Sequence, residues 1–220
     1  MSELSNPTRA DRSGLGVREA CIQEALNIIA TDGIENLSLR EVARRLSISH
    51  QAPYKHFPNR EDLLAEVIGR AFDDFATFLH SRPVAEHPQQ DLGEIGQRYL
   101  TYARVKPLQY RLMFETPFPN LHRHAGLEQK ATAAFGLLHD AIRRLRGNDN
   151  PEANRELALF AWSTVHGLAS ITTNGALPAV GISAPDAQAR AVEHVLAMIC
   201  NGIVAPSPFT ISKPNEPTKP

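Results

Sequence analysis

Apolar residues recur at helical spacing along almost the whole chain, and no run of Val, Ile and Thr alternates strictly with polar residues, which predicts an all-α protein. The first helix spans about Val17 to Thr31, with Val17, Ile22, Ala25 and Ile29 on one face and Asp32-Gly33 as the turn that ends it. A second begins at Ser38, where the S-x-x-E spacing to Glu41 has the form of a capping box, and runs to Arg45 or Leu46. Ser49 is placed to cap a short third helix that Pro58 stops just after Phe57, and Asn59 to cap a long fourth one ending near His80. The prolines and polar residues between Arg82 and Gln90 predict a loop. Five further helices follow, at about Asp91–Val105, Pro107–Glu115, Leu121–Arg146, Pro151–Asn174 and Pro185–Val204. Pro107, Pro151 and Pro185 each suit a first helical turn, where a missing N–H costs nothing. Residues 1–16 read as a flexible arm and the proline-rich stretch 205–220 as a disordered tail.

Two short helices joined by a tight turn between Leu37 and Phe57, with Leu39, Val42, Ala43, Leu46 and Ile48 available to hold them against the first helix, have helix-turn-helix spacing. The expected organisation is a three-helix helix-turn-helix domain over 17–62, followed over 63–204 by a helical bundle for ligand binding and dimerisation. The outward face of the second short helix offers Ser49, His50, Gln51, Tyr54, Lys55 and His56, all able to donate or accept hydrogen bonds. Charge sharpens this reading. The whole chain carries a net charge of −1, whereas Ser38 to Arg60 holds Arg40, Arg44, Arg45, Lys55 and Arg60 against Glu41 alone, a local +4. Positive charge gathered on one segment is what phosphate binding requires. The alternative is that the arginines form an ordinary solvated helix face and Tyr54 and Phe57 belong to the core; for Arg45 both readings stand, and Phe57 is assigned to the core.

The stretch from Ala25 through Asp32-Gly33, Leu39-Arg40-Glu41-Val42-Ala43, Leu46 and Ser49 to Tyr54-Lys55-His56-Phe57-Pro58-Asn59-Arg60-Glu61-Asp62-Leu63-Leu64 resembles the TetR family of bacterial regulators. Ser47 stands where that family usually has a turn glycine, and Arg60 where it usually has lysine. The resemblance implies that Tyr54, His56 and Arg60 contact phosphates and that Gln51 and Lys55 face base edges, with Ser38, Arg40, Ser49 and His50 completing the candidate DNA surface. Glutamine suits the adenine edge and lysine guanine O6 or N7. Farther along, Tyr99-Leu100-Thr101-Tyr102-Ala103, Tyr110-Arg111-Leu112-Met113-Phe114 and Trp162-Ser163-Thr164-Val165-His166-Gly167 resemble the TetR subgroup with a Trp-x-x-x-His-Gly regulatory domain.

The helix around Leu157 to Ile171 is apolar nearly all round and needs partners on two sides. A two-fold homodimer interface of Leu168, Ile171, Val192, Val195, Leu196 and Ile199 is one solution, and a central core helix in a monomer is the other. Trp162 and His166, four residues apart, share a face, and with Tyr102, Phe114, Phe118 and Phe135 they are candidates for a small-molecule pocket; simple packing is the competing account. His122 and His124 are two apart and face different ways on a helix, so no metal site is expected, and no cofactor. Nucleophile elbows, glycine-rich phosphate loops and H-E-x-x-H pairs are absent, which argues against an enzyme. Cys21 and Cys200 lie in apolar helical patterns and are expected as reduced thiols; no run is long and apolar enough to span a membrane, and a cytoplasmic location follows. The functional expectation is a dimeric regulator, a repressor that a small-molecule effector releases from a palindromic operator in double-stranded DNA. Control of the same helix-turn-helix by a metal or a protein partner is the alternative.

Overall fold

The computed structural model describes residues 16–81, 83–117, 124–148 and 150–205; Phe118 and His122 lie outside them. Among the described residues there are eight α-helices and no strand: α1 (Val17–Asp32), α2 (Leu39–Leu46), α3 (Arg60–His80), α4 (Pro88–Val105), α5 (Pro107–Phe114), α6 (Ala125–Arg146), α7 (Pro151–Thr173) and α8 (Pro185–Val204). The same described residues also form three short 3-10 turns, Ile34–Asn36, Pro53–Lys55 and Leu177–Val180. The chain divides into two compact units, residues 1–83 with 98–137 and residues 84–97 with 138–220, so that α4 and α6 each contribute to both. The loop expected through Gln90 is shorter, because Pro88 already opens α4.

Local chemistry explains most of the helix ends. The Glu41 N–H donates to Ser38 Oγ (3.1 Å), the Asp62 N–H to Asn59 Oδ1 (2.9 Å) and the Ala153 N–H to Asn150 Oδ1 (3.1 Å). Only half of the expected capping box forms, since the Glu41 carboxylate turns to Arg44 and Arg45 instead of reaching back. Pro107, Pro151 and Pro185 sit in the first turns of their helices. At the end of α2, Ser47 adopts the left-handed conformation (φ 56°, ψ 40°), while the Ile48 N–H donates to the Ala43 carbonyl (3.1 Å) and the Ser47 N–H to that of Arg44 (3.2 Å). A side chain in this conformation is strained where glycine is not, so Ser47→Gly is expected to stabilise the fold by about 1 kcal/mol, read by chemical denaturation.

The third helix expected after Ser49 is a string of tight turns instead. Ala52 donates to Ser49 O (3.0 Å), Lys55 to Ala52 O (3.3 Å) and His56 to Pro53 O (3.0 Å), with only Pro53–Lys55 helical in the 3-10 sense. Pro53 has no N–H to give the Ser49 carbonyl, so the α-helical ladder cannot start there, and Ser49 takes part through its carbonyl. The segment is nonetheless anchored. Pro53 and Phe57 (2% exposed) are buried, on the same side as Cys21, Ile22, Ala25 and Ile28 of α1, Val42 and Ala43 of α2 and Leu63 of α3 in the core. Burying each large apolar side chain contributes about 1.5–3 kcal/mol.

Above this core, edge-to-face pairs link Phe72 and Phe75 of α3, Tyr99 and Tyr102 of α4 and Phe114 of α5, with centroids 5.0–6.2 Å apart. Tyr102 is completely buried, and its hydroxyl donates to Asp74 Oδ2 (3.0 Å) with the Ala71 carbonyl at 3.3 Å. Burial, with the Asp74 charge beside it, raises the phenol far above its ordinary pKa. In the second unit the core comprises Ile142, Ala158, Ala161, Val165, Leu168, Leu196, Ile199 and Ile203 among others. Asp91, fully buried, pairs with Arg144 and accepts the Ala85 N–H (3.2 Å). Both cysteines are buried and free, and burial pushes the Cys21 thiol up to about 11.

Candidate nucleic-acid interface

The chain turns that anchor Pro53 and Phe57 point the other side chains of the segment outward. Ser49, His50, Gln51, Tyr54, Lys55 and His56 are all exposed, Tyr54 at 44%. A shallow notch of about 260 Å³ joins this surface to the start of α2 and α3 and is lined by Ser38, Arg40, Tyr54, Pro58, Asn59 and Arg60, with Leu39 at its floor. Four of the expected DNA residues, Ser38, Arg40, Tyr54 and Arg60, therefore share one concavity although up to 22 positions separate them in sequence. Asn59 is the member that sequence reasoning saw only as a helix cap. A cation, a phenol and a hydroxyl around a hollow this size make a candidate anion seat, and the base-reading candidates Gln51 and Lys55 lie on the same chain segment.

The charge is distributed differently from the simple count. Glu41 accepts from Arg44 Nε (2.8 Å) and Nη2 (2.6 Å) and from Arg45 Nε (2.8 Å), and Arg45 also pairs with Asp32 and, at 3.7 Å, with Glu24. For Arg45 this favours the structural reading. Arg60 Nε donates to the Leu37 carbonyl (2.9 Å) and Nη2 to that of Ile34 (2.6 Å), so its guanidinium is held by backbone oxygens rather than presented freely to solvent. Arg40 and Lys55, both exposed, have no ion pair among the described residues, and they carry the unspent charge of the segment.

Hydrogen bonds from Arg44 and then Arg45 hold the Glu41 carboxyl down at about 2. A carboxylate with a depressed pKa stabilises the fold above its unfolded pKa, near 4.3, and that contribution disappears as pH falls towards about 2. The helix-turn-helix is therefore expected to lose stability between those values. Glu41→Gln should remove that part of the acid dependence in melts followed from pH 5 to pH 2.

The pocket and interface candidates divide between the two units. Tyr102 and Phe114 are locked in the aromatic cluster of the first unit, where Phe135 is half-buried on α6. Trp162 and His166 belong to the second, with their rings 6.0 Å apart and both half-buried. Trp162 and His166 thus share one face of α7, and Phe118 lies outside the described residues. Of the interface candidates, Leu168, Leu196 and Ile199 are 5–8% exposed within their own unit and belong to its core. Leu196 packs so closely on α4 that a Cβ at Gly96 would come within 2.6 Å of its Cδ2. The reason is helical phase: positions 196, 199, 200 and 203 of α8 face inward, 198 and 202 outward, and 195 lies at the margin. Val192 and Val195 are half-buried, Ile171 is exposed, and the apolar side chains left in solvent include Phe160, Ile171 and Met198, with Phe160 lying beside Gly202. No helix among the described residues is long and apolar enough to cross a membrane, and none of their His, Cys, Asp and Glu residues group as a metal site.

Comparison with known proteins agrees with this architecture. Residues 22–67 match the profile described as bacterial regulatory proteins, tetR family, and residues 92–199 that of the tetracyclin repressor-like C-terminal domain. A helix-turn-helix-type transcriptional regulator of Mycobacterium bovis is 30% identical over 117 residues, 50% of this chain and 49% of that protein, so the chain spans about half the length of that curated relative. A transcriptional regulator from Rhodococcus sp. Rha1 superposes with a TM-score of 0.63 at 20% identity, covering 87% of this chain and 100% of that one. The crystal structure of multidrug binding protein EbrR complexed with imidazole gives 0.60 at 18% identity over 90% and 99%. A TetR variant from Acinetobacter baumannii in complex with minocycline gives 0.55 at 20% over 84% and 94%. With both its helix-turn-helix and its C-terminal part matched in this way, the chain belongs to the TetR family of helix-turn-helix transcriptional regulators.

Proposed function

We propose that this protein binds double-stranded DNA as a homodimer, reading a two-fold operator, and that a small organic effector releases it, so that it acts as a repressor. The observation that carries the DNA reading is the notch in which Ser38, Arg40 and Tyr54 converge beside the exposed Gln51, Lys55 and His56. In this reading Arg40, Tyr54, Ser38 and His56 hold phosphates and fix the register, while Gln51 and Lys55 read base edges in the major groove, with Ser49 and His50 flanking them. The overall charge of −1 suits a protein that binds through one local patch.

Dimerisation gives each subunit one half-site, and the exposed apolar face of Phe160, Ile171 and Met198 supports it. An organic effector is favoured because two fold neighbours were crystallised with small molecules, imidazole and minocycline respectively. Trp162 and His166, whose half-buried rings lie tilted to one another 6.0 Å apart and join an apolar surface to a hydrogen-bonding group, are the proposed contacts for it. Release follows only if the effector prefers the conformation that does not fit DNA. Arg40→Ala tests the DNA reading: it should weaken binding to cognate and random duplexes alike and flatten the slope of log affinity against log salt by about one unit. An unchanged slope would remove Arg40 from the phosphate contacts.

A further inference from the structure

The same short turn that Arg60 grips also borders a second concavity. The carbonyls of Ile34 and Leu37 accept from Arg60 Nη2 and Nε at 2.6 and 2.9 Å, and Asn36 between them ties its side-chain amide back to the Asp32 carbonyl (2.5 Å). Ile34, with Gly33 and Ile29, lines one side of a groove of about 260 Å³ whose other side is Leu108, Arg111 and Leu112 of α5. Arg60 itself lines the anion seat with Ser38, Arg40 and Tyr54. One 3-10 turn thus shares a groove with α5 on one side and, through the guanidinium, borders the anion seat on the other.

We infer that Arg60 is a positioning residue rather than a phosphate contact, a clasp that ties the geometry of the anion seat to the groove between the Ile34–Leu37 turn and α5. The planar guanidinium is what makes this possible. Its rigid fork reaches two carbonyls three residues apart, whereas the single ammonium of lysine, the residue usual in the family, is a point donor that would hold one firmly. With the turn fixed, Leu39 and Arg40 follow from it directly in sequence, and Tyr54 faces them across the notch. A shift of α5 that displaces Ile34 is then passed to the seat by the same two hydrogen bonds. The inference rests on the DNA-binding reading above and adds a route by which DNA affinity is regulated.

A double-mutant cycle between the groove and the clasp tests it, using a duplex that the parent protein selects from a random-sequence pool. Leu108→Trp enlarges the α5 wall of the groove, and Leu108→Phe serves if the larger ring prevents folding. In the parent background the enlarged residue is expected to lower DNA affinity roughly five- to tenfold. With Arg60→Lys in place, affinity is already reduced and the same change at position 108 should cost less than about twofold, because the clasp no longer transmits it. Arg60→Ala should lower affinity without flattening the salt slope, since no phosphate contact is lost. Independent effects of the two sites, or a slope flattened by about one unit in Arg60→Ala, would overturn the inference while leaving the DNA reading intact. A parent protein that selects no duplex at all would overturn the DNA reading and the inference with it.

Discussion

Replacing Phe160 by glutamate is expected to give a folded monomer that no longer holds its operator. The Phe160 ring is 45% exposed on α7, beside Gly202 of α8, and Ile171 stands eleven residues farther along the same helix, three turns away and on the same face. A two-fold interface built on this face would bring each glutamate against its counterpart or an apolar wall, where a desolvated, unpaired charge costs several kcal/mol. Operator affinity should fall at least about a hundredfold, because a single subunit keeps only one half-site. Sedimentation at micromolar concentration reads the assembly directly, and an unchanged dimer would move the interface elsewhere. Leu196→Glu separates the two roles of α8. Leu196 is packed on Gly96 inside its own unit, so a charge there should unfold that unit rather than split a dimer.

The second large effect concerns what is read rather than how tightly. Gln51 and Lys55 are exposed on the segment that Pro53 and Phe57 anchor, and each bidentate contact to a base edge discriminates by about 1–3 kcal/mol. Gln51→Ala with Lys55→Ala should therefore reduce the preference for the operator over random duplex by one to four orders of magnitude, while the phosphate seat keeps non-specific binding. Binding selections with parent and variant should show two positions of each half-site losing their base preference. A variant that selected the same site as the parent would show that other side chains read it.

Most of the fold was legible because helix ends are local chemistry. Ser38, Asn59 and the prolines at 107, 151 and 185 mark boundaries that the structure places within a residue or so. The exposed set from Ser49 to His56 was legible too, because a buried Phe57 and a polar remainder fix which side faces solvent. What was not legible depends on backbone groups or on helical phase. Nothing in the residue types reveals that the carbonyls of Ile34 and Leu37 accept Arg60, since every residue has such an acceptor. The 3-10 turn at Pro53 was not legible either, because the effect of that proline depends on which carbonyl loses its donor. Leu196 and Met198 are equally apolar neighbours on α8, and only the packing against Gly96 separates the buried one from the exposed one.

DNA binding by the Ser38–Arg60 surface is put to the test by incubating the 220-residue protein with fragmented genomic DNA at moderate salt and sequencing what it retains. The result predicted is enrichment of a site with two inverted half-sites about one helical turn or more apart, bound with a steep inverse dependence on salt that Arg40→Ala flattens. Retention of no fragment above background, or binding that Arg40→Ala, Gln51→Ala and Lys55→Ala all leave unaltered, would contradict it.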